Sequence, residues 1–301
     1  MSRAGRRHLT RVLVALLGCA AGGSLSAQPN PPRIYVWSET LSVPKGERIL
    51  APSAVASASE RELLVADGME NPRLLLFGKK GVSWQLQSVV TLPSVAHSLA
   101  FDGERWVASL RGGIGLMTFD RADLAARKVP VQPGLVAGPV ASTPGGNLLV
   151  FDLAAERIIE LSRSGQAIRE VAIPGYVTGL AADWSGGFLA ALADEARVIR
   201  FNSEWEQTES WELPPIDDKP AWPVGLTVDE GGKTTVLDRH GGRLLEFDST
   251  GRWVALGSRR GWEPGLLLLP SSFDHLPDGR VAVADEGNGR VQIFRRIASE
   301  N

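Results

Sequence analysis

Two side chains in the sequence could share acid–base chemistry, the imidazole of His97 and the carboxyl of Asp274. An imidazole titrates near neutral pH and can act as a general base, and a nearby carboxylate can orient it or bind a metal ion. An acid among small residues is costly unless it is hydrated or paired, so Asp274 stands out. In an alignment of the internal repeats, its position is otherwise filled by Ala56, Ala100, Ala141, Ala181 and Thr227. We therefore name His97 and Asp274 as candidate catalytic residues, and Asp274 as a candidate metal ligand.

Both residues can also be interpreted as having no catalytic role. Asp274 would then be a single carboxylate solvated by water near the axis of the fold, and His97 would lie at the edge of a loop. His275, one residue further, is expected to point into the core. The sequence contains no G-x-S-x-G, G-x-x-x-x-G-K, H-E-x-x-H or C-x-x-C motif. Because a nucleophile, a base and an orienting acid cannot be named together, the sequence favours a protein that is not an enzyme.

Metal chemistry is limited by the supply of ligands. Apart from His8 near the N-terminus, the histidines are His97, His240 and His275, and Cys19 is the single cysteine. A zinc or copper site normally needs several such side chains. Oxygen ligands for Ca²⁺ could come from Asp274 and loop carbonyls. The sequence therefore predicts no cofactor, with Ca²⁺ as the one candidate.

A second group of residues is suited to recognition rather than catalysis. Trp222 in "DDKPAWPVG" and Trp262 in "RRGWEPG" lie in loops among prolines and charges, which is typical of binding surfaces. His240 and the acids Asp217 and Asp218 are expected on the same face of the molecule. These five residues form the predicted binding patch. The alternative is that the tryptophans fill gaps between neighbouring repeats.

The elements that position these residues are β-strands in a repeating pattern. Six copies share apolar alternation, a Gly-containing turn, a second alternating strand that ends in Asp in most copies, and a third strand. The apolar residue that closes the third strand recurs at Phe77, Phe119, Leu161, Phe201, Phe247 and Phe294. These steps of about 40 to 47 residues, with a fourth strand after most copies, are typical of a β-propeller. Helical repeats are excluded by the period-2 alternation.

The last copy lacks a fourth strand, whereas "RIYVWSETLSV", residues 33–43, precedes the first copy and belongs to none. We expect this N-terminal strand to complete the last blade, because pairing the two ends leaves no exposed sheet edge at the junction. The predicted fold is all-β: a six-bladed β-propeller over residues 28–301, closed by pairing of the N-terminal strand with the last blade.

The stretch "GSRRGWEPGLLLLPSSFDHLPDGRVAVADEGNGRVQIF" resembles an NHL repeat, with its Gly-rich entry, Asp-Gly turn, V-A-D ending and Asn-x-Arg-apolar-x-Phe finish. The resemblance is weakest in the second and fourth copies, where Ser109 and Leu192 replace the aspartate. It implies a six-bladed propeller used mainly for binding, with some relatives among lyases and lactonases. The recurring Asp–Arg pairs, such as Asp67 with Arg73, are expected to stabilise each repeat's turn between the second and third strands rather than to bind ligands.

The first 27 residues have the layout of a secretory signal peptide, with arginines, an apolar run from Val12 to Ala21 and a small-residue end. A lipid anchor at Cys19 is the alternative, and Arg6-Arg7 leaves twin-arginine export open. Removing residues 1–27 leaves 28 basic against 34 acidic residues, a formal net charge of −6. Nucleic acid is a poor partner for such a chain. No later segment is long enough to span a membrane.

The sequence therefore predicts a periplasmic or secreted propeller that binds a protein or a small extracellular ligand through its loop face. It could act alone or as an accessory subunit of an envelope complex. The alternative from another functional class is a lactonase- or lyase-type enzyme that uses a divalent cation in the central channel.

Overall fold

A computed structural model describes residues 31–297, about half of which lie in β-strands and most of the others in turns and loops. The predicted signal peptide and Cys19 lie outside the described residues. One short 3-10 helix (Glu286–Asn288) accompanies 24 strands. Within this part of the chain, no helix has the length and apolar character to cross a membrane.

Four sheets have four strands each, connected in sequence order and all antiparallel. The first sheet contains β2 (Pro52–Ser59), β3 (Glu62–Asp67), β4 (Arg73–Lys80) and β5 (Ser83–Thr91). The second contains β6 (Ala96–Phe101), β7 (Arg105–Leu110), β8 (Gly115–Asp120) and β9 (Ala126–Lys128). The third contains β10 (Ala137–Ser142), β11 (Leu148–Asp152), β12 (Arg157–Leu161) and β13 (Ala167–Ala172). The fourth contains β14 (Val177–Ala182), β15 (Phe188–Leu192), β16 (Arg197–Phe201) and β17 (Gln207–Glu212).

The remaining strands form one eight-stranded sheet that is made of two sets of four. One set contains β18 (Pro223–Val228), β19 (Thr234–Asp238), β20 (Arg243–Phe247) and β21 (Trp253–Gly257). The other contains β22 (Ser272–His275), β23 (Val281–Asp285), β24 (Arg290–Arg296) and β1 (Arg33–Thr40). The order across the sheet is β18-β19-β20-β21-β1-β24-β23-β22. The N-terminal strand thus joins the C-terminal one.

The pairing of β1 confirms how the ends of the described chain meet. β1 runs antiparallel to β24, with Tyr35 opposite Arg296 and Thr40 opposite Gln292. On its other side β1 pairs with β21 in parallel. Gly257 in β21 permits this close approach, since a Cβ there would lie 2.7 Å from the Cβ of Tyr35. The pairing covers edges that would otherwise present unpaired backbone groups.

The core lies between neighbouring sheets rather than in one central mass. All five residues are buried in each of β11, β15, β19 and β23, because both faces of these second strands are covered. The outer strands alternate between buried and exposed residues, as in β5. Trp106 and Phe119 pack against Leu64 and Leu74 of the preceding sheet. The apolar ends of the third strands, such as Phe77 and Phe294, are fully buried, which explains why the repeat keeps them large.

The recurring aspartates serve their own sheets, as the sequence predicts. The Asp67 Oδ1 accepts the N–H groups of Leu50 and Ala51, both at 2.8 Å, and its Oδ2 accepts a bond from Arg73. The arrangement recurs at three further aspartates, Asp152, Asp238 and Asp285. At all four aspartates, an N–H donor lies in the segment that leads into the first strand of the same sheet. The sequence indicates donors only in the turn between the second and third strands. The carboxylate therefore ties that segment to its own sheet.

The second copy departs from this pattern at a different residue from the one predicted. Leu110 lies opposite Ala96 and Gly115, the register that Asp67 has with Pro52 and Arg73 in the first copy. The prediction that Ser109 replaces the aspartate is therefore wrong by one position. Leu110 replaces the acid, and Gly115 replaces its arginine.

Candidate functional site

The first strand of every set of four lines a central cavity of about 490 Å³. The six strands are β2, β6, β10, β14, β18 and β22, and we refer to the cavity as the channel. His97 and Asp274 both contribute to its wall, as predicted, and so does Ser57. Trp184, in the turn between β14 and β15, lies at one mouth of the channel and is 56% exposed. The first strands therefore bring both candidate catalytic residues to one cavity.

The carboxyl of Asp274 joins the first and last of these strands. Its Oδ2 accepts bonds from the backbone N–H of Ser57 at 2.7 Å and from the Ser57 hydroxyl at 2.8 Å. Its Oδ1 accepts the N–H of His275 at 2.9 Å. Ser57 and Asp274 are separated by 217 residues in the chain. The acid therefore links β22 to β2 at the channel wall.

Asp274 is partly accessible to the channel, but protein surrounds its carboxyl closely. This burial raises the pKa of Asp274 to about 6, and the bonds from Ser57 and His275 oppose the rise without cancelling it. A carboxyl with such a pKa can exchange a proton near neutral pH. Asp274 therefore links two strands through hydrogen bonds and also carries a carboxyl that can exchange a proton with the channel.

We expect a pH dependence of stability that follows from this pKa. The folded protein binds the Asp274 proton more tightly than the unfolded chain, in which an aspartate has its ordinary pKa of 3.8. The contribution of this group is therefore lost as the pH rises from about 4 to about 6, by on the order of 2–3 kcal/mol. In urea unfolding, the free-energy difference between wild type and Asp274→Ala should be larger at pH 4 than at pH 7. Glu230→Ala, an exposed acid, serves as the control, and an equal difference at both pH values would contradict the prediction.

His97 lies at an irregular position of β6. The register with β7 shifts between Ala96 and Ser98, so His97 occupies a β-bulge, and the corresponding first strands shift at the same place. Its Nδ1 is buried and has no hydrogen-bond partner among the described residues. Burial, and then the charge of Arg111, lower the pKa of His97 to about 4. The imidazole is therefore neutral at neutral pH.

The channel does not join the two candidates into one catalytic group. Neither a hydrogen bond nor an ion pair connects His97 with Asp274 in residues 31–297, where the Asp274 oxygens bind Ser57 and His275 instead. His275 packs edge-on against the rings of Tyr35 and Phe273, as expected for a core residue. The same part of the chain shows no group of three or more His, Cys, Asp or Glu that could hold a metal ion.

One side of the molecule carries the segments that enter the first strands and the turns between second and third strands. We refer to this side as the upper face. Here Trp222 and His240 lie with ring centroids 5.5 Å apart, and Tyr176 lies 6.1 Å from Trp222. The backbone N–H groups of Trp222 and His240 both bind the Asp238 Oδ1. Asp238 therefore positions Trp222 and His240, whereas the N–H of Tyr176 binds the Asp194 Oδ1 at 3.1 Å. We name the three aromatic rings the aromatic cluster.

Tyr176 is a member of this cluster that the sequence interpretation missed. It is 46% exposed and directly precedes β14, as Trp222 directly precedes β18. An aromatic residue at the same position of two adjacent copies was a usable signal. The other predicted binding residues are more dispersed. Trp262 is 73% exposed and has no aromatic partner among the described residues, while Asp217 and Asp218 form an exposed turn between Ile216 and Lys219.

Comparison of the sequence with known proteins gives one limited similarity. The chain is 33% identical over 81 residues to NHL repeat-containing protein 3 of the mouse. This stretch is 26% of the chain and 23% of the mouse protein, so the chain spans less than a quarter of that relative. No protein-family model matches the chain.

Solved structures show the fold. A protein of unknown function from Bacteroides thetaiotaomicron superimposes with a TM-score of 0.68 at 13% identity, covering 89% of this chain and 75% of that one. The WD40 β-propeller domain of Doa1 gives 0.58 at 14% identity, covering 89% and 98%. XC5397 of Xanthomonas campestris, described as a gluconolactonase, gives 0.63 at 14% identity, covering 90% and 99%. The chain is a β-propeller. At these identities the similarity extends to the fold alone.

Proposed function

We propose that this chain is an exported, six-bladed, NHL-like β-propeller that binds a protein or a small extracellular ligand through its upper face. Four four-stranded sheets, with an eight-stranded sheet that divides into two sets of four, support the count of six blades. The leader-like residues 1–27 support export to the periplasm or beyond, by cleavage or by lipidation at Cys19. Service as an accessory subunit of an envelope complex is one form of this function.

The observation that carries the proposal is the aromatic cluster. Tyr176, Trp222 and His240 present apolar area with polar edges on loops that a rigid scaffold positions, and such residues commonly contribute most of the energy of an interface. The acids Asp217 and Asp218 and the exposed Trp262 extend the same face. In the channel, by contrast, the candidate acid Asp274 is already bonded to Ser57 and His275.

The proposal is tested by comparing substitutions on the two faces, because only a substitution on the upper face should weaken partner binding. We expect Trp222→Ala to weaken capture of an envelope partner at least about tenfold, as for a central interface residue. Trp184→Ala is the matched control, because Trp184 is an exposed tryptophan in a turn on the opposite face. The measurement is quantitative co-purification of cross-linked partners from the envelope with wild-type and variant chains. Equal capture by Trp222→Ala and wild type would contradict the use of this face.

A second candidate function is supported by the channel. A cavity of about 490 Å³ that contains an acid with a pKa of about 6 could serve a divalent-cation-dependent lactonase or lyase, and the fold is shared with a described gluconolactonase. In that case Asp274 is the metal ligand and His97 the base. Elemental analysis of native protein purified without chelator should then find about one Ca²⁺ or other divalent ion per chain, lost in Asp274→Ala. A protein without stoichiometric metal would remove this candidate.

A further inference from the structure

A second cavity of about 300 Å³ opens on the upper face beside the channel. Its lining comes from three consecutive repeats, and we name it the side pocket. The polar side chains in the lining are those of His97, Arg111 and Tyr176. The apolar wall includes Leu110, Val136 and Leu153. The described lining therefore contains one positive charge and no acid, on a surface that is about half apolar and of the size that a small molecule occupies.

The side pocket lies where the second copy lacks the Asp–Arg pair. In four other copies an arginine is held by the aspartate of its own sheet, as Arg243 is by Asp238 at 2.7 Å. Here Leu110 and Gly115 occupy the two positions. Arg111 is exposed and has no ion-pair partner among the described residues. Its guanidinium is therefore available to a ligand, whereas the arginines of those four pairs stabilise their turns.

The turn beside Arg111 keeps the side pocket open. Gly112 and Gly113 both have left-handed backbone angles, with φ of +72° and +74°. Glycine is the residue that adopts this conformation without strain. Neither residue carries a side chain that could cover the guanidinium. The Arg-Gly-Gly sequence, which is not a nucleic-acid signal in so acidic a chain, thus has a local geometric role.

His97 gives the side pocket a polar inner wall. It lines both the channel and the side pocket, and its buried Nδ1 lacks a partner in the described chain. A neutral imidazole can donate or accept a hydrogen bond. The imidazole therefore offers a ligand in the side pocket a hydrogen-bond partner of either kind.

We propose that the side pocket binds a small organic carboxylate with an apolar body. The Arg111 guanidinium binds the carboxylate through paired N–H···O bonds, the geometry in which arginine recognises carboxylates. The apolar body packs against Leu110, Val136 and Leu153. His97 bonds to a polar atom of the ligand at the inner end. This site adjoins the partner surface proposed above and shares Tyr176 with it, but Arg111 and His97, on which the present proposal rests, are not part of the aromatic cluster that the Trp222 variant tests.

The proposal is tested by calorimetric titration of the full mature chain with hexanoate and phenylacetate. Hexanamide and hexylamine are the matched neutral and cationic probes. We expect saturable binding of the carboxylates at millimolar concentration or below, and binding of the amide at least about tenfold weaker. Arg111→Ala should weaken hexanoate binding about ten- to hundredfold. Arg111→Lys should have an intermediate affinity, because it keeps the positive charge but loses the paired N–H donors of the guanidinium. Arg127→Ala, an exposed arginine on β9, should change nothing.

A second measurement follows the imidazole signals by NMR. Hexanoate should shift the ring resonances of His97 and leave those of His275 unchanged, because His275 lies in the core beside Tyr35. Equal binding of hexanoate and hexanamide would overturn the proposal. The same holds if Arg111→Ala binds hexanoate as wild type does, or if no saturable binding occurs at millimolar concentration. These outcomes leave the Trp222 test unaffected.

Discussion

Replacing Arg243 with alanine is expected to lower the free energy of unfolding by about 3–5 kcal/mol. The Arg243 Nε donates to the Asp238 Oδ2 at 2.7 Å, and both side chains are buried, at 6% and 0% exposure. Removing the guanidinium leaves a carboxylate in the protein interior that is only partly satisfied by the N–H groups of Trp222 and His240. The cost of a buried charge without its partner is much larger than the net value of the pair itself. Urea unfolding followed by tryptophan fluorescence measures the change.

The matched control for this prediction is Arg252→Ala. Arg252 also pairs with an aspartate, Asp248, at 3.0 Å, but its side chain is 72% exposed. An exposed pair contributes about 1 kcal/mol or less, so Arg252→Ala should be close to wild type. If the two variants lose the same stability, burial of the Arg243 pair does not have the effect that we assign to it. Because Asp238 also positions Trp222 and His240 of the aromatic cluster, Arg243→Ala should further weaken partner capture, whereas Arg252→Ala should not.

Deleting residues 31–41 is expected to abolish a stable monomer. The deletion removes β1 with the buried side chains of Ile34, Tyr35 and Leu41. Each large apolar side chain lost from a core costs about 2–5 kcal/mol, and their sum is comparable with the whole stability of a typical domain. It also exposes the edges of β21 and β24, which then pair with other chains. Size-exclusion chromatography with light scattering should show aggregates, and a folded monomer would contradict the prediction.

A circular permutant tests whether the fold needs β1 itself or the position of β1 at the start of the chain. Tyr35 lies opposite Arg296, so residues 31–44 can follow residue 297 through a short loop, with a new start at Lys45 in an exposed turn. We expect this permutant to fold to the wild-type monomer with a similar unfolding midpoint. Failure of both chains would show that the order of synthesis matters as well as the pairing. Success of the permutant alone assigns the effect of the deletion to the strand itself.

The repeated features of this fold could be predicted from the sequence, and the contacts between distant copies could not. Alternation and recurring residues such as Phe77 and Phe294 indicate the strands, and the unmatched N-terminal strand indicates its partner. The bonds of Asp274 to Ser57 join residues that are 217 positions apart, and no local sequence pattern predicts them. The one-residue error at Ser109 has a similar origin, since the pairing of β7 with β6 and β8 sets its register and residue type alone does not.

The binding residues were predicted only in part for the same reason. Trp222 and His240 were expected to share a face, and the structure places their rings in contact distance. Tyr176 joins them because two adjacent repeats carry an aromatic residue at equivalent positions, a relation that appears only when the copies are aligned. Trp262 was grouped with Trp222 on loop composition alone. Composition indicates exposure, but it does not determine which exposed side chains meet.

The parallel pairing of β1 with β21 makes the ring mechanically uneven. Through Arg33 opposite Leu256 and Tyr35 opposite Gly257, two sets of four strands share one hydrogen-bonded sheet, while no backbone ladder joins the four separate sheets of the described chain to one another. Side-chain layers slide more readily than backbone ladders shear. We therefore expect any dilation of the central opening by a bulky guest to occur among the four separate sheets, with the eight-stranded sheet acting as the stiff arc against which they tilt.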